Sequence, residues 1–211
     1  MARASVFPSW GRRKHPRPDN RENREDEALK RTRIATALAV VAVALTAADD
    51  PKTQTIEARG LKIQAPSTWK KVTPASQMRA AQLRVEPTNG DAYPADLVVF
   101  VFPGGGGGVE QTLERWRKLF KDADGQAPKI ETKKIQAKGG EVTRAETSGD
   151  YQPSSGPGFP ADPARANARL LGAILLTDDA GYFIRMVGPD KTMKGLAPQF
   201  DEMIKSLELA K

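Results

Sequence analysis

The sequence of 211 residues contains no cysteine and only one histidine, His15. The absence of cysteine excludes disulfides, thiolate nucleophiles, cysteine-bound zinc and iron–sulfur clusters. Aromatic residues make up 6% of the chain, and no uncharged run reaches the length of about 20 residues that a transmembrane helix needs. The remaining composition, 39% hydrophobic and 28% charged, is typical of a soluble globular protein. Most of the usual catalytic side chains are missing, and the sequence predicts no cofactor and no metal site.

The formal net charge of +7 is concentrated at the N-terminus. Residues 1–48 contain ten Lys or Arg and five Asp or Glu, a net charge of +5, while the rest of the chain contains 23 basic and 21 acidic residues. A nucleic-acid-binding domain is expected to carry a basic patch or stripe on its folded surface. Residues 49–211 contain no basic stripe interleaved with aromatics, so the sequence predicts no nucleic-acid partner.

A short apolar segment, Ile34–Ala48 (IATALAVVAVALTAA), follows a basic flank at Lys30–Arg33. Basic residues, a short apolar run rich in Ala and Val and an abrupt return to polar sequence are typical of a secretory signal peptide. Thr46 and Ala48 supply the small residues required at positions −3 and −1, so we expect cleavage after Ala48. Residues 29–48 are therefore interpreted as a signal peptide, and the mature protein is expected in the periplasm or outside the cell.

Two other interpretations of residues 34–48 stay open: an uncleaved membrane tether, for which the run is short, and a buried core helix, against which the basic flank argues. No cysteine follows the run, so a lipoprotein anchor is excluded. Residues 1–28 are longer and more charged than an ordinary signal-peptide N-region. Either they form a disordered basic extension, or translation begins nearer Leu29, and we favour the second.

After Asp49 the pattern alternates between extended and helical segments. Leu97–Phe102 is apolar at every position, which predicts a strand covered on both faces. Val109–Ala123 has apolar residues at i, i+4, i+7 and i+11, which predicts a helix with one buried stripe that ends in Phe120. With few chances for parallel crossovers, residues 49–211 are predicted to form one α+β domain, an antiparallel sheet with helices packed on both faces. The other predicted elements are extended segments or hairpins at Thr55–Gln64, Met78–Glu86, Ile130–Ala137 with Glu141–Thr147, and Leu170–Leu176 with Tyr182–Val187. A closing helix is predicted over Met193–Leu207, and because of Pro198 it either starts near Ala197 or is kinked.

Two segments resemble a known family. LKIQAPSTWKK, residues 61–71, is similar to the opening strand and P-x-x-W turn of PsbP-like domains, and GYFIRMVGPDKTMKGLAPQFDEMIKSL, residues 181–207, looks like their closing strand, Gly-Pro turn and helix. The Ran-binding nuclear import factor shares this superfold. The resemblance implies an antiparallel sheet between helix layers, and many such domains are non-enzymatic binding or assembly modules. No photosystem-contacting or Ran-contacting residue carries over, because the chain contains no matching motif.

Three features that resemble ligand-binding or catalytic motifs have simpler interpretations. The glycine run 104–108 precedes a helix but lacks the Gly-Lys-Ser/Thr ending of a phosphate loop, so we expect a flexible connector. The acidic pairs Asp178–Asp179 and Asp122 with Asp124 lack the spaced oxygen ligands of a calcium site, and we expect them in turns and helix ends. The serines within 148–155 have no histidine partner in the mature chain and no S-x-x-K motif.

The connection Gly149–Arg169 is long, rich in Pro and Gly, and lies between two predicted strands. Connections of this length within a compact domain are uncommon unless they are functional or disordered. A flexible surface loop is favoured over a recognition loop, and we expect deletion of Gly156–Ala164 to leave the melting temperature nearly unchanged. If the loop does recognise a partner, the contacts are expected from Tyr151, Phe159, Arg165 and Arg169.

These observations lead to a hypothesis about function. The chain is expected to be an exported, non-catalytic binding or assembly module that acts on a protein or envelope partner and contacts a membrane only if residues 34–48 stay uncleaved. The alternatives are a metal-free, carboxylate-type hydrolase acting on glycans, whose Asp/Glu pair would be recognisable only in space, and a membrane-tethered accessory domain. A carboxylate pair that converges in a deep pocket would favour the hydrolase, and a shallow surface with an aromatic-tipped loop would favour the binding module.

Overall fold

The computed structural model describes residues 52–88, 90–153 and 162–210, all of which belong to the compact unit Asp49–Lys211. The described residues form eleven strands and two helices. In chain order these are β1 (Thr53–Ala58), β2 (Leu61–Pro66), β3 (Lys70–Lys71), β4 (Arg79–Val85), β5 (Ala95–Pro103), α1 (Val109–Arg117), β6 (Phe120–Lys121), β7 (Glu131–Ala137), β8 (Gly140–Tyr151), β9 (Arg165–Leu176), β10 (Ala180–Pro189), α2 (Asp190–Lys205) and β11 (Glu208–Leu209).

The strands form two antiparallel sheets. The large sheet has the order β3–β4–β5–β10–β9–β8–β6, and β7 also pairs with β8. The small sheet has the order β1–β2–β11, so the last strand completes the sheet that the first two begin. Each strand pairing in the described residues is antiparallel. The predicted class, α+β with an antiparallel sheet, is confirmed.

Alternating side chains of β9 enter two separate hydrophobic clusters. Leu171, Ala173 and Leu175 belong to the cluster that contains the buried residues of α2 and of the small sheet. Leu170 and Ile174 belong to the cluster that contains the buried residues of α1. Successive side chains of a strand point to opposite faces, so these two clusters lie on opposite faces of β9. Full burial of a Leu or Ile side chain contributes about 1.5–3 kcal/mol, which makes the two clusters the main source of stability.

Helix α1 packs on the sheet through Trp116, which is 6% exposed. The indole lies directly over Gly172 of β9, where a Cβ atom would come within 2.2 Å of Cζ3 of the tryptophan. The glycine therefore provides the space that the indole occupies, and any side chain at this position would push α1 away from the sheet.

Helix α1 is shorter than the sequence predicted. It ends at Arg117, and Phe120 lies in β6, where it pairs with Tyr151 of β8. The two rings are 5.2 Å apart between centroids, and Phe120 is completely buried. Phe120 can be buried equally well by a further turn of the helix or by a strand that follows it. The apolar stripe in the sequence therefore does not distinguish a longer helix from a helix followed by a strand. The tertiary contact with Tyr151 decides the conformation.

The glycine run between β5 and α1, which was expected to be a flexible connector, forms a turn in the structure. Gly104 to Gly107 have φ values between 69° and 108°, a range that favours glycine. The N–H of Gly104 donates to the carbonyl of Asp179 at 2.8 Å. The run is thereby held against the turn between β9 and β10.

Among the described residues, no helix is long and apolar enough to cross a bilayer. The predicted signal peptide 29–48, its cleavage site after Ala48 and residues 1–28 lie outside the described residues.

Candidate binding groove

A β-bulge shapes one end of the large sheet. Between Gly149 and Tyr151 of β8 the pairing register shifts, and β9 accommodates one extra residue. Asn167 of β9 has a φ of 49°, a left-handed conformation that asparagine tolerates better than most residues. Its N–H donates to Oδ1 of Asp150 at 3.0 Å. Bulges bend a strand and are frequent beside binding sites, so the surface around this one is the first candidate site.

An open groove of about 790 Å³ lies beside the bulge. Its walls come from the loop before β5, the turn after β6, the bulge and the first turns of α2. Small apolar side chains alternate there with charged side chains of both signs. We name this surface the bulge groove. Its lining residues include Asp91, Ala92, Tyr93, Asp122, Ala123, Ala166, Ala168, Arg169, Pro189, Asp190, Lys191 and Lys194.

The N-terminus of α2 forms one wall of the bulge groove, and Asp91 fixes its position. The residue before the helix is Pro189, which provides no side-chain cap. Asp91 fills this role from a distant loop, because its Oδ2 accepts hydrogen bonds from the backbone N–H of Thr192 (2.9 Å) and from the Thr192 hydroxyl (2.6 Å). A carboxylate at this end also interacts favourably with the helix dipole. The loop that contains Asp91 and the first turn of α2 are therefore held in a fixed position relative to each other.

Asp190, the first residue of α2, connects the helix to the sheet. Its Oδ1 accepts a hydrogen bond from Nε of Arg169 at 2.8 Å, and its Oδ2 forms an ion pair with Lys194 at 2.8 Å. Arg169 also bonds to Glu146 of β8. Partial burial raises the pKa of the Asp190 carboxyl, but the hydrogen bonds from Lys194 and Arg169 outweigh it, so the pKa lies below its ordinary value. Asp190 is therefore ionised at neutral pH and committed to these contacts.

Tyr151 differs most from the sequence prediction of partner-contacting residues. Because β8 extends through Tyr151 and β9 begins at Arg165, the connection is shorter than predicted and Tyr151 belongs to a strand. Its side chain is 1% exposed and packs against Phe120, so it offers no surface to a partner. Phe159, the other predicted aromatic contact, lies outside the described residues.

The two predicted arginines flank the bulge. Arg169 lines the bulge groove. Arg165, 10% exposed at its side chain, donates to Oδ2 of Asp96 at 2.7 Å. Its guanidinium lies 5.0 Å from the ring centroid of Tyr93, within the range of a cation–π contact. The structure therefore brings the two arginines to one region, where both already bind carboxylates of this chain.

Asp162, which no sequence pattern indicated, is the centre of an ion cluster. Its Oδ1 accepts from Arg79 at 2.7 Å, and its Oδ2 accepts from Arg185 at 3.0 Å and from the hydroxyl of Tyr151 at 3.2 Å. Burial raises the pKa of the carboxyl, but the Arg79 hydrogen bond and the charges of Arg185 and Arg79 outweigh it and leave the pKa lowered. Arg79 is 83 residues away along the chain, so only the fold reveals this cluster.

The described carboxyl groups with shifted pKa values do not resemble a catalytic acid. Hydrogen bonds from Arg117 and Lys118 lower the pKa of Glu114 to about 2, and the pKa values of Asp162 and Asp190 are lowered as well. A glycosidase acid requires the opposite shift, because it must carry a proton at neutral pH.

The acidic pairs lie in turns, as predicted. Asp122 Oδ1 accepts hydrogen bonds from the N–H groups of Asp124 (3.0 Å) and Gln126 (2.8 Å), the arrangement of an aspartate that stabilises its own turn. Asp178 and Asp179 occupy the turn between β9 and β10. Within the described ranges, no group of three or more His, Cys, Asp or Glu side chains is placed to hold a metal ion.

No family model and no curated protein matches this chain, but several solved structures are similar to it. The solution structure of PsbP (CyanoP) from Synechocystis has 13% identity, covering 78% of this chain and 96% of that one, with a TM-score of 0.48. LpqN of Mycobacterium tuberculosis, a protein involved in cell envelope biogenesis, has 12% identity, with coverages of 76% and 91% and a TM-score of 0.44. A Bacteroides thetaiotaomicron protein has 13% identity and a TM-score of 0.42, and the match covers 76% of this chain and 48% of that one. PsbP is the family that residues 61–71 and 181–207 resemble, and the likeness concerns the fold alone.

Proposed function

We propose that this chain is an exported, non-catalytic binding or assembly module that acts on a protein or envelope partner, and that the bulge groove is the surface that the partner contacts. The observation that carries the proposal is the groove itself, an open concave surface of about 790 Å³ with small apolar side chains between fixed charges of both signs. Non-obligate protein interfaces likewise combine apolar and polar contact surface.

The walls of the bulge groove are already ordered before a partner arrives. Asp91 caps α2, and Asp190 joins α2 to Arg169 of the sheet. Tyr93 donates its hydroxyl hydrogen bond to the carbonyl of Ala166 at 2.8 Å, which fixes the loop before β5 to the bulge. A preformed surface loses little conformational entropy on binding, and this favours recognition of a partner by a rigid face.

The arrangement of carboxylates favours binding over hydrolysis. Asp91 serves as a helix cap, Asp122 stabilises its own turn and Asp190 is paired with two cations. Each of these lining carboxylates therefore has a structural partner among the described residues. The proposed location outside the cytoplasm is supported by the signal-peptide pattern of residues 34–48. If this segment is not cleaved, the protein is a membrane-tethered accessory domain.

Site-specific photo-crosslinking in the native host tests the proposal. Ala92 and Ala123 are exposed and lie on two different walls of the bulge groove, so a photoreactive amino acid at either position should produce the same discrete crosslinked product. Thr53, an exposed residue of β1 in the small sheet, is the matched control and should not produce it. The proposal fails if the exported protein gives no product from the groove positions or gives the same product from all three.

A further inference from the structure

A small cavity of about 10 Å³ lies beside Arg165. Its lining contains two arginines, two aspartates, a tyrosine and two buried valines. We name it the arginine niche, formed by Arg165, Arg185, Asp96, Asp162, Tyr151, Val98 and Val187.

Positive charge exceeds negative charge around the arginine niche. Arg79, Arg165 and Arg185 are 7%, 10% and 15% exposed at their side chains, and the acidic groups that bind them are Asp96 and Asp162. Three guanidinium groups thus share two carboxylates, and Asp96 is shared further with the more exposed Arg84 at 3.0 Å. Burying a charge without a counter-charge is costly, so the surplus cation favours an additional anionic group.

The hydrogen-bond donors of Arg185 show where that anion would bind. A guanidinium has five N–H donors, and within the part of the chain that the structure describes Arg185 donates one hydrogen bond, to Oδ2 of Asp162. The same oxygen also accepts from Tyr151, while Asp96 accepts from Arg84 and Arg165. The two carboxylates bind Arg79, Arg84, Arg165 and Tyr151 in addition to this one bond from Arg185, and the other N–H donors of Arg185 are left for a ligand.

Both arginines are held in place before a ligand binds. The guanidinium of Arg185 lies 5.8 Å from the ring centroid of Phe100, and that of Arg165 lies 5.0 Å from the ring centroid of Tyr93. Arg165 also donates to the carbonyl of Pro94 at 3.0 Å. Guanidinium groups that rest on aromatic rings are oriented at little further entropic cost, and their planar donors match a carboxylate.

We propose that the arginine niche binds a carboxylate group through Arg165 and Arg185, with one carboxylate oxygen inside the cavity. The volume is about that of one water-sized probe, so the cavity admits a single oxygen atom of the ligand. The carboxylate belongs either to a free small acid or to an acidic side chain of a protein, and both share the same chemistry at the niche. The site does not depend on the bulge groove being a partner surface.

Titration of the full chain tests this proposal at constant ionic strength in sodium chloride. Acetate represents a free carboxylate, and a peptide capped at both ends with one aspartate represents a protein carboxylate. We expect saturable binding of acetate or of the aspartate peptide. It should be seen by calorimetry and as shifts of the Arg185 side-chain N–H resonances in the wild-type protein. The ligand that binds more tightly identifies whether the carboxylate comes from a small acid or from a protein. Inorganic phosphate can also place one oxygen in the cavity, so its affinity, measured in the same way, shows whether the niche prefers a carboxylate.

Variants separate the niche from general surface charge. Arg185→Lys keeps the charge but loses the planar donors, and Arg185→Gln loses both, so each should weaken carboxylate binding at least about tenfold. Arg115→Gln, at an exposed position of α1 without an ion pair among the described residues, should bind as the wild type does. No saturable binding, phosphate binding of equal strength, or unchanged affinity in a folded Arg185 variant would overturn the proposal. If both Arg185 variants fail to fold, the wild-type resonance shifts decide it alone.

Discussion

Replacing Asp162 with asparagine removes the charge that joins β4, β8 and β10. The carboxylate binds Arg79, Arg185 and Tyr151, and asparagine would leave Arg79, 7% exposed, without a negatively charged partner among the described residues, next to the neutral side chain of Gln82 (3.1 Å). Removing one partner of a buried ion pair costs about 3–5 kcal/mol. Because the Asp162 side chain is 26% exposed, water screens part of its attraction to the arginines. We therefore expect Asp162→Asn to lower the free energy of unfolding by about 2–3 kcal/mol.

The same carboxylate makes part of the stability depend on pH. In the folded chain the pKa of Asp162 is lowered, while in the unfolded chain it is about 3.9. The contribution is therefore fully present above the unfolded value and is lost as the pH falls through the lower, folded value. The difference in unfolding free energy between wild type and Asp162→Asn should stay constant from neutral pH down to about pH 5 and shrink below about pH 4.

Urea unfolding followed by tryptophan fluorescence measures this difference, since Trp69 and Trp116 are 1% and 6% exposed in the folded chain. Asp124→Asn is the matched control, because Asp124 is an exposed turn residue whose carboxylate has no hydrogen bond or ion pair among the described residues. A loss below about 0.5 kcal/mol at pH 7, the range of an ordinary surface substitution, or a loss of the same size at pH 3 would refute the reasoning.

Two further predictions concern packing and processing. Gly172→Ala should lower the free energy of unfolding by about 1–3 kcal/mol, because the added Cβ atom would collide with Trp116. Gly195→Ala in α2 is the control: the added Cβ atom would meet no neighbouring side chain or strand within 4 Å, and the free energy of unfolding should rise by about 0.5–1 kcal/mol. Equal effects of the two substitutions in urea unfolding would contradict the packing of α1. N-terminal mass analysis of the exported protein should find Asp49 or Ala48 as the first residue, and a full-length cytoplasmic product would exclude the signal peptide.

Periodicity in the sequence predicted the elements whose structure depends on local contacts. The hairpin of β9 and β10 and the apolar strand β5 lie where the alternation and turn residues placed them. The sequence predicted a start of α2 at Met193 or, because of Pro198, near Ala197. The helix instead begins at Asp190 and contains Pro198, because its cap comes from Asp91 in a loop about 100 residues earlier. A cap supplied from such a distance leaves no trace in the local pattern.

The sequence predicted the region of the candidate site better than its residues. Composition drew attention to the connection after β8, where Arg165 and Arg169 flank the bulge. Deletion of Gly156–Ala164, for which the sequence predicts a nearly unchanged melting temperature, would also remove Asp162 and leave Arg79 and Arg185 without that carboxylate. Proline and glycine content indicates an irregular backbone, but it does not show which single acidic residue in it contacts the sheet.

The position of β10 in the large sheet has a consequence for how the chain folds. This strand lies between β5 and β9, so it joins two halves of the sheet that are separated along the sequence. Until β10 emerges during synthesis or translocation, β5 and β9 each present a row of unsatisfied backbone groups that invites pairing with other chains. Assembly of the large sheet therefore waits for one of the last segments to appear, and a slow, late-closing folding reaction is expected for this topology.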